Sequence, residues 1–176
     1  MSISVIDRWT RTGPTPTEYF AAAVLVSAAM LGTAFFFQYV GGLAPCKLCI
    51  YQRIPYGVVI GLGVVGALLA RGGGLSVPVR LLAAACALAF FVDAGIAAFH
   101  AGVEQGWWEG TEACVGGNID TSSIEAMRDA ILNAPAVRCD EVAWSMFGIS
   151  MAAWNGLAAF GLGAISLVIF RQWKTQ

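Results

Sequence analysis

The sequence predicts an all-α membrane protein, a bundle of four transmembrane helices with one long outer loop between the third helix and the fourth. Of its 176 residues, 58% are hydrophobic and only 12% are charged, a composition too apolar for an ordinary soluble domain. A bilayer core about 30 Å thick needs roughly 20 apolar residues per helix, and four runs approach that length. We therefore expect a single membrane domain over residues 1–176, surrounded by lipid and without a nucleic-acid partner.

Four apolar runs define the expected helices. The predicted spans are 19–40, 54–70, 81–99 and 147–170. The first and the fourth carry no charge, whereas the second is shorter and rich in glycine. In the second, Gly57 and Gly61 have the small-xxx-small spacing that lets helices approach closely, although glycine is also common in membrane helices generally. The third is apolar except for Asp93, an ionisable residue at membrane depth whose partner the sequence does not identify.

The distribution of basic residues predicts that both chain termini face the cytoplasm. Six basic residues lie in short segments on one side of the spans: Arg8, Arg11, Arg71, Arg80, Arg171 and Lys174. On the other side, the long loop 101–146 has two arginines against eight acidic residues. Lys47 and Arg53 are exceptions because they lie in or beside the first outer loop, 41–53. Arg53 therefore needs a reason other than topology.

The five cysteines differ in their placement relative to the spans. Cys46 and Cys49 form a C-x-x-C motif before the second span, and Cys114 and Cys139 lie in the long outer loop. The outer compartment permits disulfides, so these four are the candidate redox residues. Cys86 falls within the third span, where a cysteine usually behaves as a small apolar side chain.

The C-x-x-C motif is expected at the start of a helix. Unpaired backbone N–H groups and the helix dipole at that position lower the pKa of a thiol. Arg53 follows Cys49 by four residues, about one turn on the same face, where its positive charge favours a thiolate. Pro55 is compatible with a helix that begins near residues 49–51, because an early proline forfeits little hydrogen bonding. These features favour a reactive thiolate at Cys49.

Two other interpretations treat the cysteines as structural. In the first, all four outer cysteines bind one zinc ion, but Cys114 and Cys139 are 25 residues apart rather than about two to four. In the second, the four cysteines form static disulfides in a non-catalytic membrane scaffold. The redox interpretation is preferred, and no metal ligand is assigned.

The segment Pro45-Cys46-Lys47-Leu48-Cys49-Ile50-Tyr51-Gln52-Arg53 resembles the first outer loop of the disulfide bond formation protein B (DsbB) family. The resemblance includes the C-x-x-C, the arginine four residues after its second cysteine, four spans and a second cysteine pair between spans three and four. It extends over nearly the whole chain. It implies a protein-disulfide oxidoreductase of the bacterial inner membrane, with both outer loops in the periplasm and both termini in the cytoplasm.

The resemblance also implies an electron path. Cys114 and Cys139 would accept electrons from a periplasmic thioredoxin-fold oxidase of the DsbA type, through a mixed disulfide on Cys114. The freed Cys139 would engage Cys46. Cys49 would then be released beside a membrane quinone, either ubiquinone or menaquinone, which serves as the electron acceptor.

Two further residues match quinone-proximal positions of the family. Arg53 resembles the arginine that interacts with the quinone and the adjacent thiolate, which accounts for its exception to the charge rule. His100, the only histidine, resembles a second such position, and an ordinary interfacial role is the alternative. The nearest rival enzyme class is the vitamin K epoxide reductase type. That family carries its C-x-x-C near its last core span, whereas here the motif precedes the second span.

Overall fold

The computed structural model describes residues 13–72, 75–111, 114, 123–125, 128 and 137–174. In chain order the helices are α1 (Pro16–Tyr39), α2 (Lys47–Ala70), α3 (Val77–Glu104) and α4 (Met151–Lys174). A short antiparallel hairpin, β1 (Ser145–Met146) and β2 (Ile149–Ser150), precedes α4. All four helices are long and apolar enough to cross a membrane, which confirms the predicted class of four-helix membrane bundle.

Local capping determines where α1 begins. The Thr15 hydroxyl accepts the backbone N–H of Glu18, and the Glu18 carboxylate accepts the backbone N–H of Thr15. This reciprocal pair satisfies two N–H groups that the first turn would otherwise leave unpaired. Pro16 occupies the first helical position, where its missing N–H costs nothing. The helix therefore starts before the apolar run from which it was predicted.

The helix α2 begins at Lys47, seven residues before the predicted start of the second span. The apolar run used for the prediction stops at a charged residue, whereas the helix itself extends to the residue that caps its backbone. Lys47 and Arg53 are therefore both helical. Cys46 is the N-cap residue. Pro55 consequently lies inside the helix rather than in its opening turn. The first outer loop is correspondingly shorter than the predicted 41–53.

The fourth span begins later than predicted, at Met151 rather than at Phe147. Phe147 and Gly148 form the two-residue turn of the hairpin, with φ angles of 54° and 76°. Positive φ at both central residues is the geometry that matches the twist of a tight hairpin. The uncharged run therefore contains a turn and a strand before the helix starts.

Consecutive helices pack against one another in chain order. The larger buried cluster includes Phe20 of α1, Val59 of α2 and Phe90 of α3. At the end of the bundle that holds both termini, the Trp173 ring packs edge-on against Tyr19, with 5.4 Å between the ring centroids. The Trp173 indole also donates a hydrogen bond to the carbonyl of Pro14. These contacts join the start of α1 to the end of α4.

The close approach of α1 and α2 uses different glycines from those expected. A Cβ added to Gly66 would lie 2.5 Å from the Phe20 ring, and one added to Gly63 would lie 2.6 Å from a Val24 methyl group. Among the described residues, a Cβ on Gly57 or Gly61 would meet nothing within 4 Å. The small-xxx-small interpretation of Gly57 and Gly61 was therefore wrong.

Candidate functional site

The four outer cysteines converge at one end of the bundle. Cys114 and Cys139 form a disulfide, whereas Cys46 and Cys49 are free thiols with their sulfur atoms 3.0 Å apart. Cys46 belongs to the same buried cluster as Cys114 and Cys139, with Leu48 and Val103 packed among them. The sequence placed these pairs in separate outer segments, and folding brings both pairs into one apolar cluster.

Cys46 has the surroundings of a stabilised thiolate. Its sulfur accepts the backbone N–H of Cys49 at 3.3 Å, and the His100 Nε2 atom lies 3.5 Å away. The pKa of Cys46 is lowered below that of an ordinary thiol, first by the hydrogen bond with the Cys49 thiol; burial opposes this, and His100 adds to it. Sequence reasoning favoured a thiolate at Cys49, but the N-cap position and the His100 contact belong to Cys46.

His100 is held inside the protein rather than at its surface. Only 2% of the residue is exposed. Its Nδ1 atom lies 3.4 Å from the Gln52 side-chain oxygen, and its Nε2 atom lies 3.9 Å from a Glu104 oxygen. Glu104 in turn accepts a hydrogen bond from the hydroxyl of Ser150 in β2, directly before α4. The histidine is thus oriented by groups from α2 and α3, which sequence reasoning did not identify.

Cys46, Cys49 and His100 also have the composition of a metal site. Their ligand atoms all lie within 4.8 Å of one another, and thiolate and imidazole are ligands that zinc accepts. The four-cysteine zinc site considered from the sequence is not formed, because Cys114 and Cys139 are joined to each other. The sequence assigned no metal ligand, so this trio is a geometric possibility that it did not anticipate.

Arg53 lies between α2 and α1. Its guanidinium donates a hydrogen bond of 2.5 Å to the Gln38 side-chain oxygen and lies 5.1 Å from the centroid of the Phe35 ring. Both partners are uncharged, so the positive charge is positioned without being neutralised by them. Arg53 lines the same cavity as the two free thiols. Arg53 therefore supplies a fixed positive charge next to the C-x-x-C pair.

A cavity of about 430 Å³ connects these groups. Cys46, Cys49, Arg53 and His100 line it, together with apolar side chains of α1 and α4 and residues of the segment before the hairpin. Its volume falls within the range of sites that bind small organic molecules. A largely apolar wall interrupted by a few polar side chains suits a ring-shaped ligand that carries oxygen atoms.

Asp93 has the partners that the sequence could not identify. It is fully buried, and its carboxylate accepts a hydrogen bond of 3.0 Å from the Asn155 amide. The Tyr56 hydroxyl donates to the oxygen of the same amide at 2.8 Å. Tyr56 and Asn155 line the cavity. The only sequence signal for Tyr56 was its position seven residues after Cys49, on the same helix face.

Cys86 lies apart from the other cysteines. It is fully buried in the larger core cluster, beside residues such as Tyr19 and Phe90. The expectation that it serves only in packing fits this position.

Comparison with known proteins points to one family. The family described as "Disulfide bond formation protein DsbB" matches residues 16–169. "Disulfide bond formation protein B" of Stutzerimonas stutzeri is 34% identical over 165 residues, which cover 86% of this chain and 93% of that protein. The protein of the same name from Methylococcus capsulatus is 32% identical, covering 92% of this chain and 96% of that protein. No solved structure gives a significant match.

Proposed function

Because the chain belongs to the DsbB family of disulfide bond formation proteins, we propose that it reoxidises a periplasmic DsbA-like dithiol oxidase and passes the electrons to a membrane quinone. Membership of the family makes the chain a membrane protein-disulfide oxidoreductase. The main support for the proposed electron path is that one disulfide and one free dithiol converge in a single buried cluster beside a cavity. This arrangement suits a two-step transfer of electrons.

The Cys114–Cys139 disulfide is the proposed acceptor of electrons from the soluble partner. A thiolate of the partner attacks the Cys114 sulfur, a mixed disulfide forms, the Cys114–Cys139 bond breaks, and Cys139 leaves as a thiolate. Attack by the partner's second cysteine then releases the oxidised partner. Cys114 and Cys139 are both fully buried, so the partner must displace the segments that cover them before it can react.

The Cys46 and Cys49 pair is the proposed exit for the electrons. The Cys139 thiolate would attack the Cys46 sulfur of a Cys46–Cys49 disulfide and release Cys49, and the Cys114 thiolate would then attack Cys139, restore the Cys114–Cys139 bond and release Cys46. The two exchanges together move two electrons inward. The described arrangement, with the outer pair oxidised and the inner pair reduced, corresponds to the state after both exchanges. Cys46 is then the thiolate, stabilised by Cys49 and His100.

The cavity fits a quinone, either ubiquinone or menaquinone. Its wall is mostly apolar, as a ring system with an isoprenoid tail requires, and polar groups are confined to a few side chains. Arg53 and His100 would hold it, as would Gln52, whose side-chain N–H groups have no partner within the described part of the chain. Such a quinone supplies an acceptor for two electrons and two protons. The charge of Arg53 would stabilise negative charge that develops next to the thiols.

The proposed setting is the bacterial inner membrane, with the cysteine cluster at the periplasmic face and both termini in the cytoplasm. This orientation is supported by Arg71, Arg80 and Arg171, which lie at the bundle end opposite the cysteines. Arg8 and Arg11, which also supported the prediction, lie outside the described residues.

Anaerobic mixing of the purified protein with a reduced DsbA-like protein and ubiquinone tests the proposal. We expect the quinone absorbance to fall with multiple turnovers. Cys114→Ser should abolish the reaction with the soluble partner, while the Cys46 and Cys49 pair can still be oxidised by quinone. Cys86→Ala is the matched control and should remain within a few-fold of wild type. Failure of the wild-type protein to turn over would contradict the proposal.

A further inference from the structure

Two layers of polar side chains lie at different depths in the bundle. The outer layer contains Cys49 of α2 and His100 of α3. Seven residues separate Cys49 from Tyr56, and seven separate Asp93 from His100. Seven residues of α-helix are about two turns, or about 10 Å along the axis, and return to the same face. Tyr56, Asp93 and Asn155 therefore form an inner polar layer, deeper in the membrane than the sulfur atoms.

The inner polar layer is joined by hydrogen bonds across three helices. The Tyr56 hydroxyl of α2 donates to the Asn155 oxygen of α4, and the Asn155 amide nitrogen donates to Asp93 of α3. The second carboxylate oxygen of Asp93 has no hydrogen-bond partner within the described residues. Ionisable groups at membrane depth are costly and are usually retained for a function.

The inner polar layer also faces the cavity. Tyr56 and Asn155 both contribute to its wall, whereas Asp93 is fully buried behind them. The Asn155 amide has two N–H groups, of which Asp93 accepts one, so the second can donate to an oxygen of a ligand, whereas the single hydroxyl hydrogen of Tyr56 is already donated to Asn155. A set of residues that served only to hold the helices together would not need to line the cavity. Hydrogen-bonding capacity therefore remains available to a ligand.

We propose that the inner polar layer is a second subsite for the electron acceptor, binding the far carbonyl oxygen of a para-quinone whose near oxygen lies by the outer layer. A para-quinone carries its two oxygens at opposite ends of the ring, so one molecule can contact both layers. An ortho-quinone carries both on one side and can contact only one. The inference rests on the proposed function, because it concerns the quinone cavity.

Within this subsite the three residues have different roles. Asn155 contacts the quinone oxygen through its second amide N–H, with Tyr56 beside it. Asp93 does not reach the cavity and is a positioning residue, since it accepts one Asn155 N–H and so fixes which end of the amide is the donor. An acceptor of similar shape at position 93 should preserve the subsite, and an apolar side chain should not.

Equilibrium binding to the fully oxidised protein tests the subsite without turnover, because neither disulfide can then donate electrons. Trp144 and Trp154 line the cavity, so a bound quinone should quench their fluorescence. The probes are duroquinone, a para-quinone, and phenanthrenequinone, an ortho-quinone. We expect Asn155→Leu to weaken duroquinone binding about five- to tenfold, as for one lost hydrogen bond. Tyr56→Phe removes only the hydrogen bond that holds the Asn155 oxygen and should weaken duroquinone binding less. Phenanthrenequinone binding should change by less than about twofold.

Two sets of controls make the result specific. Tyr51→Phe removes a hydroxyl from an exposed position on the same helix and should leave both affinities unchanged. Asp93→Asn should bind duroquinone like the wild type, whereas Asp93→Leu should match Asn155→Leu. Equal losses for both quinones, or no loss for duroquinone, would overturn the subsite. If the wild-type protein failed to reduce ubiquinone with the soluble partner, the proposed function would fail instead.

Discussion

At the scale of single residues, the reactivity of the C-x-x-C pair depends on groups that are distant in the sequence. Cys46 acquires its thiolate character from Cys49, three residues away, and from His100 on another helix. Arg53 is positioned by Gln38 and Phe35 of α1. Neither environment follows from the C-x-x-C motif itself, since a motif specifies the reacting atoms and not the charges that surround them.

The low pKa of Cys46 predicts a thiolate that persists in acid. An ordinary thiol, with a pKa of about 8.5, is mostly protonated at neutral pH, whereas Cys46 should stay ionised below neutral pH because its pKa is lowered. The ultraviolet absorbance of thiolate in the reduced protein, followed as a function of pH, measures this directly. His100→Ala should shift the transition to higher pH, because an interaction that lowers the pKa is removed. Cys86→Ala should not move the transition, and a transition near the ordinary thiol pKa would refute the assignment.

Arg53 is predicted to act at the quinone end of the relay. Arg53→Ala should slow quinone reduction about a hundredfold, the effect of removing one preorganised electrostatic group of about 3 kcal/mol, and should raise the quinone KM. Formation of the Cys114 mixed disulfide should be nearly unchanged. Arg53→Lys keeps the positive charge and should slow quinone reduction less than Arg53→Ala does. Stopped-flow measurements score both steps, and a variant with normal quinone kinetics but no mixed disulfide would show a role in partner docking instead.

At the scale of helices, α1 and α2 meet through small residues, because the hydrophobic effect does not drive helices together within lipid and close packing must hold them. Gly63 and Gly66 let Val24 and Phe20 approach the α2 backbone. Phe20 is fully buried, so its ring has little room to yield. The other α2 glycines with regular spacing, Gly57 and Gly61, have open space where a side chain would lie.

The close contact at Gly66 predicts that replacing glycine by alanine affects stability differently at Gly66 and at Gly61. Gly66→Ala should destabilise the bundle by about 1–3 kcal/mol, as overpacking of a close contact does. Gly61→Ala should be neutral or stabilising by up to about 1 kcal/mol, because alanine is the better helix former and its Cβ meets nothing. Thermal unfolding of the detergent-solubilised proteins compares the two. Equal stabilities would mean that α1 and α2 do not pack through Gly66.

At the scale of the whole molecule, the four helices place the four outer cysteines at one end and both described ends of the chain at the other. The sequence predicts that the terminal end is cytoplasmic, because short segments with an excess of arginine and lysine stay on that side. The two ends therefore differ in their expected redox environment. Only the cysteine end would meet a compartment in which disulfides persist.

Reporter fusions test this orientation. Alkaline phosphatase fused after Gln176, or in the connection between α2 and α3, should be inactive, and a fusion in the long loop near Cys114 should be active. The reverse pattern would overturn the proposed topology. Expression of each fusion, measured by immunoblot, is the necessary control.

The sequence by itself determined the membrane class, the number of spans, the two outer cysteine pairs and the resemblance to the family. These properties depend on composition, on the length of apolar runs and on local motifs, which can be read along one chain. The start of α4 was missed because Phe147 and Gly148 are apolar by composition but form a hairpin turn. Hydropathy does not distinguish a turn from a helix.

Only the tertiary structure decided which groups meet. The sequence placed Asp93 at membrane depth, but its bond to Asn155 links residues 62 positions apart. The contact of His100 with Cys46, and the use of Gly66 rather than Gly61, likewise depend on how each helix is rotated and shifted against its neighbours. A local pattern specifies the faces of one helix, whereas the pairing of faces results from the packing of all four helices together.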